Sequence, residues 1–238
     1  MAVSPVPSRI HADLSRPAVA RSGDLPWLPS PLSGVERRLL ERDGGEVARA
    51  TSIVRYAPGS HFAAHVHGGG EEFLVLEGVF SDEQGDYGAG TYVRNPVGSA
   101  HAPFSRQGCV IFVKLRQMDP ADQRRVVLDT RSSAWLPGLV PGLSVLPLHG
   151  FGPEQVALVR WAPGTRFPDH GHPGGEEILV LEGVFEDERG AYPAGTWLRH
   201  PAGSRHTPCS DSGCLIWVKT GHLPAAAPRR AGEPARGR

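Results

Sequence analysis

Short hydrophobic runs recur along the chain, and each is bounded by turn-forming residues. The runs are rich in Val, Leu, Ile and aromatic residues, and clusters of Gly, Pro, Asp or Ser separate them. Turn signals about every 8 to 12 residues are typical of a β-sandwich or barrel. In the first half of the chain we expect strands at 50–56, 72–80, 91–94 and 109–115, and the charged run 35–43 is the one candidate for a helix.

An internal repeat organises these elements. Residues 54–114 align without a gap on residues 159–219, and about 38 of the 61 aligned pairs are identical. Weaker similarity extends upstream, where the Trp-Leu-Pro sequence that begins at Trp27 occurs again at Trp135. Self-similarity at a fixed offset indicates a duplicated structural unit. The sequence therefore predicts an all-β protein made of two similar domains in tandem.

The two ends of the chain differ in composition from the repeats. Residues 1–22 and 224–238 are rich in Pro, Ala and Arg and show no apolar periodicity. Such segments bury too little apolar surface to offset the entropy of ordering. We therefore expect disordered tails at 1–22 and 224–238, with the two domains at 23–125 and 126–223.

Charge and cysteine content narrow the functional classes. The 25 Lys and Arg residues balance the 25 Asp and Glu residues, so the chain lacks the basic excess that holds a phosphate backbone. No segment approaches the roughly 20 apolar residues of a membrane span, and the N-terminal residues do not resemble a signal peptide. With three cysteines and no Cys-x-x-Cys pair, we expect a cytoplasmic protein that binds neither nucleic acid nor membrane. We interpret Cys109 and Cys214, which match across the repeat, as buried packing thiols, and a redox-sensing role is the alternative.

Six of the 11 histidines occupy matched places in the two copies. The first two histidines of each set are two residues apart, so on a strand their imidazoles share one face. The glycine-rich turn that follows them lets the chain reverse and bring a carboxylate close to the two rings. Three imidazoles and one carboxylate form an all-N/O site suited to a divalent metal. Spacing and strand parity favour Glu71 and Glu176 as the carboxylates, with the adjacent Glu72 and Glu177 as alternatives. The histidines are His65, His67 and His101 in the first copy and His170, His172 and His206 in the second.

These residues fall within two longer motifs. The first copy reads Gly59-x5-His65-x-His67-x3-Glu71-x6-Gly78 and Gly90-x5-Pro96-x-Gly98-x2-His101, and the second copy repeats both. The pair resembles the two motifs of the cupin superfamily. More narrowly, the segment GGEEFLVLEGVFSDEQGDYGAGTYVRNPVGSAH resembles the ChrR-type cupin domain, which is named after a zinc-binding anti-sigma factor.

The resemblance implies a bicupin of two tandem barrels, each a double-stranded β-helix or jelly roll. It implies up to two divalent metal ions per chain, with Fe(II) or Zn(II) favoured over Mn(II) or Ni(II). It selects as metal ligands His65, His67, Glu71 and His101 in the first barrel and His170, His172, Glu176 and His206 in the second.

Three functions are compatible with such a site. The leading hypothesis is a metal-dependent dioxygenase for a small carbonyl, enol or catechol-like molecule, with Glu71 and Glu176 as candidate catalytic bases. A zinc-binding ChrR-like sensor without catalysis and a metal-dependent isomerase or decarboxylase are the alternatives. In each case the partner is a small molecule, and a homodimer is compatible with the sequence. We expect the pocket to be lined by Phe73, Phe80, Tyr92, Trp197 and Trp217.

The copies differ around the shared ligands. Ala64 is replaced by Asp169, and Ala100 is replaced by Arg205. These replacements predict a more polar surrounding for the second site. We therefore expect two metal sites with different roles.

Overall fold

A computed structural model describes residues 7–224, which form 25 short β-strands and one turn of 3-10 helix at Ser22–Asp24. Among these residues, no helix combines the length and apolar character needed to cross a membrane. The strands that precede residue 120 are β1 (Arg9–Ile10), β2 (Ala18–Arg21), β3 (Leu28–Pro29), β4 (Val35–Gly44), β5 (Ala48–Tyr56), β6 (Ser60–His61), β7 (His65–Val66), β8 (Glu71–Asp82), β9 (Gly85–Gly88), β10 (Thr91–Asn95), β11 (Ala100–His101), β12 (Phe104–Ser105) and β13 (Cys109–Leu115).

The second half of the chain repeats this order of elements. Its strands are β14 (Val126–Asp129), β15 (Leu136–Pro137), β16 (Leu143–Phe151), β17 (Glu154–Trp161), β18 (Thr165–Arg166), β19 (His170–His172), β20 (Glu176–Asp187), β21 (Gly190–Pro193), β22 (Thr196–His200), β23 (Ser204–His206), β24 (Cys209–Ser210) and β25 (Cys214–Thr220).

Two antiparallel sheets of matching topology build two jelly-roll barrels. The first sheet runs β1-β4-β5-β13-β8-β10-β14, and the second runs β15-β16-β17-β25-β20-β22-β2. Each barrel also has a separate two-stranded ladder, β7 with β11 in the first and β19 with β23 in the second. The predicted all-β tandem duplication is therefore confirmed.

Strand β8 shows how one sequence serves two cores. Phe73 and Val75 point into the first barrel, whereas Leu74 between them belongs to a cluster shared with the second barrel. This follows from the two-residue period of a strand, because successive side chains point to opposite faces. The main strands are therefore apolar on both faces.

The shared cluster joins the barrels face to face. Leu40, Ile53 and Phe112 of the first barrel pack in it with Leu158 and Trp217 of the second, and all five are buried. The rings of Phe112 and Trp217 meet edge to face with centroids 4.9 Å apart. The arrangement contributes stability through apolar burial that neither barrel would have alone.

Buried ion pairs cross this interface in a two-fold pattern. Lys114 bonds to Glu177, and the equivalent Lys219 bonds to Glu72 at 2.7 Å, so each lysine pairs with a carboxylate of the other barrel. Arg94 also donates to Glu72 at 2.8 Å. Burial acts to raise the pKa of Glu72, but Lys219 and Arg94 outweigh it and hold that pKa at about 2.

The barrels also exchange strands. Strand β2 pairs with β22 of the second barrel, where Ala18 lies opposite Arg199, and β14 pairs with β10 of the first barrel. The prediction of a disordered tail over 1–22 is therefore wrong for residues 7–22, because Ala18 and Ala20 pack in the shared core. Strand β14 follows the predicted boundary at 125/126 but belongs to the sheet of the first barrel, so the sheets do not divide at that boundary. Residues 1–6 and 225–238 lie outside the described part, so the tail prediction there stays a prediction.

The segment expected to be helical is strand β4. It forms a hairpin with β5, in which Val35 lies opposite Tyr56. A β-bulge between Leu39 and Glu41 breaks the alternation, and Leu39 and Leu40 are both buried. The bulge explains why the segment lacks a clear two-residue period, and the prediction of a helix here is wrong.

Candidate metal centres

The first histidine cluster is assembled by the β7–β11 ladder and the turn that precedes β11. His65 lies directly opposite His101 across the ladder. The backbone N–H of His67 donates to the carbonyl of Ser99 at 2.8 Å, and its carbonyl accepts from Gly98 at 3.0 Å. These bonds hold the turn against His67. The three imidazoles therefore converge, with ring centroids 4.7 to 5.1 Å apart.

The outer hydrogen bonds orient these rings. His65 Nδ1 lies 3.0 Å from the carbonyl oxygen of Ala63 and His101 Nδ1 lies 3.2 Å from Asp82 Oδ2, so each Nδ1 carries the proton and leaves the Nε2 lone pair free. His67 Nε2 and His101 Nε2 are buried without a hydrogen-bond partner. Orphaned imidazole nitrogens of this kind fit a divalent metal ion.

Glu71 completes the first set. Its Oε2 lies 3.5 Å from His67 Nε2 and 3.4 Å from His101 Nε2, and it accepts a 3.0 Å hydrogen bond from the Asn95 amide. Ligand atoms about 2.0 to 2.2 Å from one ion lie about 3 to 3.5 Å apart, so this spacing fits a shared metal. Strand alternation directs the neighbouring Glu72 into the ionic network between the barrels instead.

The second barrel repeats the arrangement. His172 Nε2 and His206 Nε2 are 3.1 Å apart, and they lie 3.6 and 3.5 Å from Glu176 Oε2. His170 lies opposite His206, and its Nδ1 is bonded to the Pro168 carbonyl at 3.1 Å. Burial lowers the pKa of His172 to about 4, as it does that of His67 in the first barrel, so both rings are neutral at neutral pH.

One residue near the second cluster escaped prediction from the sequence. His200 occupies the position of Asn95, and its Nδ1 lies 3.0 Å from Glu176 Oε2. Burial raises the pKa of Glu71, whereas the His200 hydrogen bond and the nearby histidines outweigh burial and lower the pKa of Glu176. The Asn-to-His difference between the aligned copies was the available signal.

A carboxylate and a tyrosine support the last histidine of each set. In the second barrel, Asp187 Oδ2 lies 3.6 Å from His206 Nδ1, and Tyr192 donates its hydroxyl to Asp187 at 3.0 Å. Burial acts to raise the pKa of Asp187, but its contacts with His206, the backbone and Tyr192 lower it to about 2. Asp82 and Tyr87 make the same pair of contacts in the first barrel. Asp187 therefore stays ionised beside the His206 imidazole, and the contact with Asp82 orients the His101 imidazole.

The second cluster opens into a cavity of about 550 Å³. Trp161, Phe167 and Phe185 supply its aromatic wall. The expected aromatic lining is wrong for three of the five predicted residues: Tyr92, Trp197 and Trp217 are buried between the barrels. Phe73 and Phe80 lie in the interior of the first barrel.

The predicted greater polarity of the second site is also wrong. Asp169 and Arg205, which replace two alanines, bond to each other at 3.1 Å with mostly exposed side chains. Neither contributes to the cavity wall, which is predominantly apolar. The opposite charges of Asp169 and Arg205 therefore neutralise each other at the surface.

Cys109 and Cys214 are packing residues. Both are buried at the ends of β13 and β25. Burial raises the pKa of each thiol to about 11, so the thiolate is scarce at neutral pH. These features oppose the redox-sensing alternative.

Duplicated jelly-roll barrels with three convergent histidines and a carboxylate in each define a bicupin with two candidate metal centres. The family model for the ChrR cupin-like domain matches residues 15–119 and again residues 123–224, and the chain belongs to this family. The resemblance inferred from the sequence motifs is therefore confirmed.

Individual relatives agree with this assignment. The chain is 39% identical over 80 residues to the anti-sigma-E factor ChrR of Cereibacter sphaeroides, a match that covers 32% of this chain and 36% of that protein. A proposed dioxygenase from Nostoc punctiforme superposes with a TM-score of 0.71 at 16% identity, covering 90% of this chain and 88% of its own. Protein Ylba from E. coli gives a TM-score of 0.70 at 15% identity, covering 92% and 96%. These structural similarities concern the fold.

Proposed function

We propose that the chain is a metal-dependent dioxygenase whose second barrel holds the catalytic centre, and that its substrate is a small carbonyl, enol or catechol-like molecule. The observation that carries the proposal is the second histidine cluster, whose three imidazoles border an apolar cavity of about 550 Å³. Cavities of about 300 to 1,000 Å³ with a few convergent polar groups are typical of small-molecule sites. The proposed dioxygenase from Nostoc punctiforme has the same fold, which agrees with this choice.

The proposed ligands of the catalytic ion are the three histidines and the glutamate of the second barrel, with an equivalent set in the first. Fe(II) and Zn(II) fit this N/O set best, and Mn(II) or Ni(II) are also compatible. A bound ion would polarise a substrate oxygen and, if it is iron, allow reaction with dioxygen. The ligands are His170, His172, Glu176 and His206, and their counterparts are His65, His67, Glu71 and His101.

The side chains around the site provide a proton acceptor and exclude water. Glu176 is positioned to accept a proton from an enol or phenol, and His200 holds its Oε2 at 3.0 Å. Glu71 is the corresponding candidate base in the first barrel, where Asn95 replaces the imidazole. Trp161 and Phe167 exclude water from one side of the cavity. A neutral, flat substrate fits these surroundings.

Metal analysis combined with oxygen uptake tests the proposal. Protein purified anaerobically without chelator should contain close to two ions per chain, and Glu71→Ala or Glu176→Ala should each reduce that content. Oxygen uptake with diketones and catechols should fall steeply in Glu176→Ala and far less in Glu71→Ala. His200→Asn, which makes the second site resemble the first, should reduce turnover while the metal remains bound.

Equal losses of uptake in both glutamate variants would contradict the assignment of catalysis to the second barrel. A protein that binds no ion, even after reconstitution, would contradict the metal site itself.

A zinc-loaded sensor is the second candidate, and the 39% identity to an anti-sigma factor favours it. Three His and one Glu saturate a tetrahedral zinc ion and leave no position for a reactant. Tightly held zinc together with no oxygen uptake from any tested substrate would support the sensor over the dioxygenase.

A further inference from the structure

Because the barrels are duplicates, each residue that lines the cavity of the second barrel has an equivalent position in the first. The ligand sets are the same, but the walls around them are not. The described residues that line the second cavity include neither lysine nor arginine, and Glu176 is their only carboxylate. Val145 and Gly221 lie in this wall, and both correspond to arginines in the first barrel.

Arg37 is the equivalent of Val145. It lies opposite Val54, just as Val145 lies opposite Val159, and the two valines are matched residues of the repeat. Val54 packs in the interior of the first barrel. Because directly opposed residues on paired strands share a face, Arg37 also points inward.

The guanidinium of Arg37 has unused hydrogen-bonding capacity. Its side chain is only 14% exposed, and one nitrogen, Nη1, donates to Glu46 at 3.2 Å. Its Nε and Nη2 are buried without a hydrogen-bond partner. Two adjacent free N–H groups of a guanidinium match the two oxygens of a carboxylate.

Arg116 is the equivalent of Gly221. It keeps the left-handed backbone of that glycine, with φ 59° against 75°, although an L side chain rarely adopts it. Its Nη1 lies 3.1 Å from where a Cβ on Gly68 would stand, next to the loop that follows His67. The first barrel thus places a second guanidinium against the loop that follows His67.

We infer that the two barrels bind ligands of opposite chemistry, a small carboxylate anion at Arg37 and Arg116 in the first and a neutral, apolar carbonyl compound in the second. The second half of this inference rests on the proposed function and narrows its substrate class. The first half assigns the first barrel an anion site that catalysis does not require.

Malonate and acetylacetone provide a matched pair of probes, because they share a 1,3-dicarbonyl skeleton and differ in charge. Calorimetric titration should give one malonate bound per chain. The affinity that depends on the two arginines should persist after the metal has been removed. Arg37→Val and Arg116→Gly, which install the residues of the second barrel, should each weaken malonate binding about ten- to a hundred-fold. Arg37→Lys should retain part of the affinity.

Trp161 reports which barrel is occupied, because Tyr56 stands at its position in the first barrel. Acetylacetone should change tryptophan fluorescence in the native protein and not in Trp161→Phe, and the arginine variants should bind it normally. Malonate should leave this signal unchanged. The reciprocal variant Val145→Arg should weaken acetylacetone binding and allow malonate to bind in the second barrel.

Malonate binding that is absent, or that survives both arginine substitutions, would overturn the anion site. Acetylacetone binding without a fluorescence change that depends on Trp161 would overturn the assignment of the neutral site to the second barrel. Circular dichroism verifies folding of Arg37→Val, and the exposed Arg116→Gly provides an independent test if that variant unfolds. Failure of every oxygen-uptake assay, with both binding patterns intact, would refute the proposed function alone.

Discussion

Replacing Lys114 by methionine isolates the contribution of one ion pair between the barrels. The side chains of Lys114 and Glu177 are 1% and 0% exposed, so the substitution leaves a carboxylate buried without its main partner. Breaking a buried pair from one side typically costs about 3–5 kcal/mol. His222 Nε2 remains 3.4 Å from Glu177 and compensates in part, which places the expected loss near 3 kcal/mol. For a chain of this size, that corresponds to a fall of roughly 6–12 °C in Tm.

Thermal and urea unfolding followed by circular dichroism measure this loss. The double variant Lys114→Met with Glu177→Met should recover much of it, because an apolar pair of similar volume avoids the desolvation penalty. Arg166→Ala provides the control, since Arg166 forms an exposed pair with Asp211 and such pairs stabilise little. A loss below about 1 kcal/mol in Lys114→Met, or additive losses in the double variant, would refute the reasoning.

Three further predictions concern the backbone, the thiols and the exchanged strand. Gly183→Ala should destabilise the protein far more than Gly203→Ala. Both glycines have positive φ, but an added Cβ would lie 2.0 Å from a carbonyl oxygen at Gly183 and would meet nothing within 4 Å at Gly203. Equal losses of stability in chemical unfolding would contradict this prediction. Cys109 and Cys214 should resist alkylation until the protein unfolds, as mass spectrometry of native and denatured samples can show. Deleting residues 7–22 should lower Tm and shift tryptophan emission to the red, and an unchanged spectrum would mean that β2 does not cover the second barrel.

The strands and the candidate ligands could be predicted because each depends on local spacing that occurs twice. The two-residue period places Glu71 with Phe73 and Val75 on one face, which is the face that the structure turns toward the histidines. Local spacing does not reveal which apolar face lies inside a barrel and which lies between barrels. For this reason the sequence predicts Tyr92 and Trp197 in a pocket, although both belong to the shared core.

Other features depend on contacts between residues far apart in the sequence. Strand β2 lies in an Ala- and Pro-rich segment, and only the edge of the distant β22 makes it a strand. The role of His200 depends on its distance from Glu176, which a single Asn-to-His difference does not reveal. Asp169 and Arg205 indicated a polar site individually, but they bond to each other at the surface.

The strand exchange has a consequence for synthesis on the ribosome. Strand β14 follows the first barrel directly, so that barrel can be completed soon after its own residues emerge. The segment around β2 emerges well before β22, and the Asp13 carbonyl beside it accepts a hydrogen bond from Arg199, 186 residues later. The nascent chain must therefore carry strand β2 unpaired until β22 has been synthesised. Strand β2 is therefore synthesised before most of the fold but docks only after β22 is available, and its docking closes the edge of the second barrel.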